Sequence, residues 1–261
     1  MILPALLQRH LVSSNNVRIV ILIILAGIIL AASSCGKDSP GSSGKPGLNA
    51  GELLMLEVSL PENKYADENQ RVAFFQQAIE RIAALPGVES AGAVSTHPLS
   101  DDKQSVRFTI EPATGDATDS IPAGFNVVSP GYFQTLKAHL VEGRTLIETD
   151  RREAARVVVI NETMARRFFP DGSAIGKRVQ FDDLEEQGSW VEIVGVVGDI
   201  KQADSDDPWP EFYMSYLQAP LPVMTIIVRS ATHARELIDS VQREVKAVDG
   251  EVTISNIGTM K

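Results

Sequence analysis

The chain has 261 residues, 44% of them hydrophobic, and a formal net charge of −10. That length can bury a core in one large domain or two small ones without disulfide staples, and the single cysteine, Cys35, rules out an intrachain disulfide. The acidic balance argues against nucleic-acid binding, which needs Lys and Arg to displace counterions from phosphates.

Residues 19–32 are fourteen positions without a polar side chain, preceded by Arg9 and Arg18 and followed by Ser33, Ser34 and Cys35. Fourteen residues suit the apolar part of a signal peptide and are short for a membrane span of ~20. Two readings stay open. In one, Ala32-Ser33-Ser34-Cys35 is a lipoprotein cleavage site and Cys35 is acylated, although Ala32 stands where such signals usually carry Leu. In the other, residues 19–35 are an uncleaved anchor. Both predict an N-terminal hydrophobic helix, a cytoplasmic N-terminus beside the two arginines, and a body outside the cytoplasm in the cell envelope. Residues 36–50, rich in Gly, Ser and Pro, predict a flexible linker.

A strand is expected over 53–60, ended by Pro61. A helix follows from Asp67 or Glu68 to about Leu85, with Val72, Phe75, Ile79, Ile82 and Leu85 on one face and Pro86-Gly87 as its stop. Residues 88–95 predict a buried strand rich in small side chains. The middle of the chain predicts strands over 106–110, 125–128, 157–160, 178–181 and 191–197, the last two paired across the acidic turn 182–188. Short helices are expected over 130–136 and 162–169. Strand, helix and strand return at 224–229, 231–248 and 251–257. The fold class is therefore α+β. Two β-α-β units, 51–99 and 216–261, are expected to pack as a ferredoxin-like split sheet, with residues 100–215 inserted as a smaller α+β subdomain.

No catalytic, cofactor or metal site emerges from the residues. Residues 172–178 (GSAIGKR) miss the phosphate-loop spacing by one residue, put Arg178 at the magnesium-binding hydroxyl position, and precede a strand. His10, His97, His139 and His233 lie too far apart for a zinc pattern. Ser90 has one residue too many before it for a nucleophile elbow. The acidic clusters at 182–186 and 204–207 lack the spacing of a calcium loop and read as solvated turns. Trp209, Phe212, Tyr213 and Tyr216 lie among Pro208, Pro210, Pro220 and Pro222. Core packing accounts for most aromatic groups, but an aromatic loop without regular structure is a partner-contact candidate.

One resemblance orders these pieces. Residues 128–133 (VSPGYF), Gly143-Arg144, residues 157–162 (VVVINE), Phe168-Phe169-Pro170, residues 175–178 (IGKR) and 193–197 (IVGVV) follow one another as in the periplasmic core domain of the MacB/FtsX class of ABC-transporter permeases. The similarity runs from about Pro46 to Lys261 and is greatest to the second such domain of large two-domain bacterial permeases. It implies a porter-like outer part, an inserted subdomain and no catalysis. The implied partners are a permease transmembrane subunit, its ATPase or other envelope proteins, with the membrane reached through the N-terminal anchor. The implied role is partner binding or transmission of conformational change in export. Complete members of that class continue into membrane helices where this sequence reaches Lys261. The alternative is a stand-alone lipoprotein that binds a lipid or small hydrophobic ligand between its subdomains.

Overall fold

The computed structural model describes residues 53–98, 100, 104–111, 121–182, 190–200 and 208–259. Cys35, the apolar leader and the linker lie outside these residues, as does most of the acidic turn after Asp182. All described residues belong to one compact unit. No described helix is long and apolar enough to cross a membrane.

The two ends of the described chain build one antiparallel sheet. Strands β1 (Leu53–Ser59), β2 (Val88–Val94), β10 (Val223–Ser230) and β11 (Thr253–Thr259) lie in the order β11-β1-β10-β2. Because β10 separates them, β1 and β2 run in the same direction, as a strand pair joined by one helix must. That helix is α1 (Glu68–Ala83). The Asp67 carboxylate starts it by accepting from the Asn69 and Gln70 amides at 2.7 and 3.2 Å. Gly87, at φ +88°, turns the chain into β2. Period-two alternation sends Leu54, Leu56, Val58, Met224, Ile226 and Val228 to one face, where Phe74, Phe75, Ala78 and Ile82 of α1 cover them. Val241 and Val245 of α4 (Ile238–Val248) join that core. Leu53 and Ile227 point to the opposite face.

The helix expected over 231–248 begins later than its pattern suggests. The Ser230 hydroxyl accepts from the Thr232 amide at 3.1 Å, which holds the chain in a turn, and a 3₁₀ turn over Ala234–Leu237 leads into α4. Beyond α4, the Asp249 carboxylate accepts from the Glu251 amide at 2.9 Å and from the Tyr65 hydroxyl at 2.8 Å, and lies 2.6 Å from Lys64 Nζ. It ties the turn between α4 and β11 to the loop before α1. The Lys64 hydrogen bond, then the Glu251 amide and Tyr65, hold the Asp249 carboxyl down at about 2. A depressed carboxyl pKa stabilises the fold at pH values above the unfolded value of about 3.9 and loses that contribution as pH falls toward 2. The unfolding free energy of Asp249→Asn should therefore fall less steeply than that of the wild type between pH 4 and 2. Equal slopes in urea titrations across that window would remove Asp249 from this role.

The central residues form a closed barrel. Its strands are β3 (Ser105–Ile110), β4 (Ile121–Val128), β6 (Val157–Asn161), β7 (Arg178–Phe181), β8 (Val191–Val197) and β9 (Glu211–Ser215). The ladder runs β4-β3-β7-β8-β6-β9 and returns from β9 to β4, which pair in parallel from Gly124↔Glu211 to Val128↔Ser215. Helix α3 (Glu162–Phe168) follows β6, and the short β5 (Leu140–Gly143) lies on β8 outside the ring. Alternate residues point inward and fill the ring: Val106, Phe108, Phe125, Val158, Ile160, Val179, Phe181, Ile193, Phe212 and Met214 are all buried in one cluster. Phe212 stands at its centre, its ring 4.8 Å from Phe108 and 5.0 Å from Phe181 in edge-to-face contact.

The sheet and the barrel are not separated where the sequence places a boundary. The last residue of β2, Val94, pairs with Val128 at the end of β4, so the outer sheet and the ring share one continuous ladder. The cause is the length of β4. Residues 121–124 pair with β3, and the strand continues to Val128, where β2 takes the same edge. The expected boundaries at 99/100 and 215/216 fall between β2 and β3 and between β9 and β10.

Candidate functional site at the junction of sheet and barrel

The narrow β2–β4 ladder is reinforced from both sides by serines. Ser95 donates its amide to the Val127 carbonyl at 2.8 Å, and its hydroxyl accepts from the Val127 amide at 3.0 Å. Ser129 mirrors it: its amide donates to the Ala93 carbonyl at 2.9 Å, and its hydroxyl accepts from the Ala93 amide at 2.8 Å. Side-chain oxygens thus satisfy backbone groups that a wider ladder would have paired.

Ser129 opens the stretch that forms α2 (Tyr132–Leu136), and this short helix wedges between the two halves. Its Tyr132, Phe133 and Leu136 share one buried cluster with Leu53, Val94 and Ile227 of the outer sheet and with Val157, Val159, Val197 and Tyr213 of the barrel wall. Glycines let the backbones meet. A Cβ on Gly92 would lie 2.8 Å from Tyr132 Cα, and one on Gly131 would lie 2.8 Å from the Ala91 carbonyl oxygen. At the other end of α2, Lys137 adopts the left-handed conformation, and Arg229 reaches from β10 to donate its Nε to the Thr135 carbonyl at 2.7 Å. Arg229 is only 2% exposed. A buried cation at a helix C-terminus meets carbonyls that the helix itself leaves unpaired.

Beside α2, at the mouth of the barrel, lies a polar cleft lined by Thr96, His97, Gln104, Asn126, Trp209 and Glu211. Glu211 is buried and accepts from the Tyr213 hydroxyl at 2.6 Å and from Asn126 Nδ2 at 3.4 Å. Asn161 fixes the start of β9. Its Oδ1 accepts from the Glu211 and Met164 amides, both at 3.0 Å, and its Nδ2 donates to the Trp209 carbonyl at 2.8 Å. Burial, and then the Glu211 charge, push the Tyr132 and Tyr213 hydroxyls well above the usual tyrosine range, so both stay protonated. Burial lowers the His97 imidazole, which is neutral at pH 7. The cleft encloses about 30 Å³, room for a single water. Ligand pockets are roughly 300–1,000 Å³, so this cleft gives no support to a lipid or hydrophobic ligand held between two subdomains. Among the described residues no three His, Cys, Asp or Glu side chains gather as a metal site.

The structure divides the aromatic candidates. Trp209 is 40% exposed at the rim of the cleft, whereas Phe212, Tyr213 and Tyr216 are each 2% exposed or less. The last three are core residues and offer no surface to a partner. Phe212 and Tyr213 are buried because residues 211–215 form a strand between β4 and β6, where the prolines suggested an irregular loop, and Tyr216 follows it with its amide donating to the Val128 carbonyl at 2.9 Å. Pro210 stands just before that strand, and its carbonyl accepts from the Gly124 amide at 2.8 Å. Arg229 and Gly92 escaped the sequence reading. The signals were there: an arginine at an inward position of an apolar strand, and a glycine in a strand of small residues.

A mixed sheet that passes into a filled barrel, with α2 wedged at the joint, defines an α+β module. The description "MacB-like periplasmic core domain" matches residues 43–248. The chain belongs to this family and is a periplasmic domain of the ABC-type permease class. Over 78 residues it is 35% identical to an uncharacterized ABC transporter permease, YvrN, of Bacillus subtilis, a match that covers 30% of this chain and 18% of that protein. The periplasmic region of MacB from Actinobacillus actinomycetemcomitans shares the fold at a TM-score of 0.50 and 17% identity, over 78% of this chain and 88% of that one. The extracellular domain of the ABC-type transporter YknZ from Gram-positive bacteria is similar at a TM-score of 0.49 and 17% identity, over 78% of this chain and all of that one.

Proposed function

We propose that this chain is a non-catalytic extracytoplasmic body that binds partners of an ABC-type permease system and passes conformational change between them during export. The observation that carries the reading is the filled interior. The barrel holds a phenylalanine cluster and the polar cleft has room for one water, while the roomier groove, about 940 Å³ along α4 and β11, lies open on the surface. In this reading the outer elements, 51–99 and 216–261, are a ferredoxin-like, porter-type unit, and their strand order β11-β1-β10-β2 supports it. Residues 1–35 hold the body at the membrane on the periplasmic side, through acylated Cys35 or as an uncleaved anchor. Trp209, exposed at the cleft rim, is the partner contact that remains of the four aromatic candidates.

The test is affinity purification of the full chain from detergent-solubilised membranes, with the bound proteins identified by mass spectrometry. Recovery of a permease transmembrane subunit or its ATPase supports the proposal, and a photo-crosslinker at Trp209 should capture the same partner. Recovery of the chain alone, from membranes that contain such a permease, would overturn it.

A further inference from the structure

We infer that α2 is a clamp that makes the outer sheet and the barrel move as one body, and that Arg229 is the pin that holds it closed. This deepens the transmission reading above, because a body can pass motion only if its two halves do not yield against each other. Three observations meet at α2. The shared ladder is one residue pair wide, Val94↔Val128, and would by itself allow the halves to rotate. The wedge of Tyr132, Phe133 and Leu136 packs on both halves at once, so rotation about that pair must open a buried apolar cluster. α2 meets the outer sheet closely at two glycines: a Cβ on Gly92 would lie 2.8 Å from Tyr132 Cα, and one on Gly131, at the start of α2, would lie 2.8 Å from the Ala91 carbonyl oxygen.

Arg229 completes the clamp. It belongs to β10 of the outer sheet, while Thr135 belongs to α2, 94 residues away in sequence, and the 2.7 Å bond between them crosses the joint. Thr135 is itself fully buried, and its hydroxyl donates to the Gly131 carbonyl at 2.9 Å. The pin therefore acts on a helical turn that is already closed at both ends. The β1–β10 ladder and the ring β4-β3-β7-β8-β6-β9 are paired through their backbones, so removing the pin leaves both ladders in place. The joint alone should loosen.

Hydrogen exchange of the full chain in detergent, read by mass spectrometry, tests this. In Arg229→Met the amides of residues 92–96 and 126–136 should exchange about tenfold faster or more, while those of 54–58, 224–228 and 191–196 stay within about twofold of wild type. Gly92→Ala, made on the neighbouring strand β2 of the same sheet, where an added Cβ would lie 2.8 Å from Tyr132 Cα, should give the same local pattern, and it decides the matter alone if Arg229→Met does not fold. Unchanged exchange at the joint, or an equal rise in every segment, would overturn the clamp. The measurement uses no partner. Failure to recover a permease thus leaves this result standing, and a uniform exchange response leaves partner binding standing.

Discussion

Phe212→Ala should destabilise the body by about 3–5 kcal/mol, among the largest losses available to a single substitution here. Phe212 is fully buried, with its ring 4.8 Å from Phe108 and 5.0 Å from Phe181. Its strand is hydrogen-bonded on both edges, to β4 and to β6, so the wall cannot collapse to refill the space. A closed ring therefore keeps the cavity, and a retained cavity adds to the lost transfer energy. Urea titration should show a lower midpoint with an unchanged slope. Trp209→Ala, three residues earlier in the same aromatic group, removes a side chain that is 40% exposed and should cost clearly less. A loss below about 1 kcal/mol for Phe212→Ala would mean that the ring is not filled as described.

Gly195→Ala should be nearly as damaging, at about 2–3 kcal/mol, the upper range for forced overpacking. A Cβ on Gly195 would collide with the Arg144 carbonyl, a backbone atom that cannot swing aside. Arg144 is fixed there: its amide donates to the Val194 carbonyl at 2.9 Å, and its guanidinium grips Asp150 with bonds of 2.7 and 2.9 Å. Gly143, at φ +71°, bends β5 into this crossing. The substitution should peel residues 140–150 from β8, and limited proteolysis should cut there first. Gly172→Ala serves as the contrast, since nothing lies within 4 Å of its added methyl and its φ is ordinary. Equal thermal stability of the two variants would contradict the crossing. The resemblance rested in part on the Gly143-Arg144 pair and on residues 193–197, and the crossing gives both a physical reason.

Local pattern made much of the fold legible. Strands β7 and β8 occupy residues 178–181 and 191–197 as their side chains predict. Val179 and Phe181 alternate inward on β7, and β8 is buried on both faces, so it reads as an almost continuous apolar run. Two strands stayed hidden for opposite reasons. All four residues of β5 are exposed, so it shows no alternation, and β9 is entirely buried but framed by prolines that suggested a loop. Closure of the barrel depends on β9 meeting both β4 and β6, and no periodicity within residues 211–215 encodes two distant partners. The same limit hides the link between the outer sheet and the barrel. The continuous ladder rests on one pair, Val94↔Val128, between segments whose patterns look self-contained. The clamp was half visible. Residues 128–133 carried the resemblance, but nothing in their own pattern encodes Gly92 and Arg229, which meet them from β2 and β10.

The most direct test of force-passing, as opposed to passive attachment, is the crosslinking yield from a photoreactive residue at position 209 in native membranes, compared between nucleotide-free and vanadate-trapped states of the partner ATPase. A body that moves with the transport cycle should crosslink to its partner with clearly different yields in the two states, and Arg229→Met should narrow that difference. Identical yields in both states, with the partner captured each time, would show a static attachment and contradict the account.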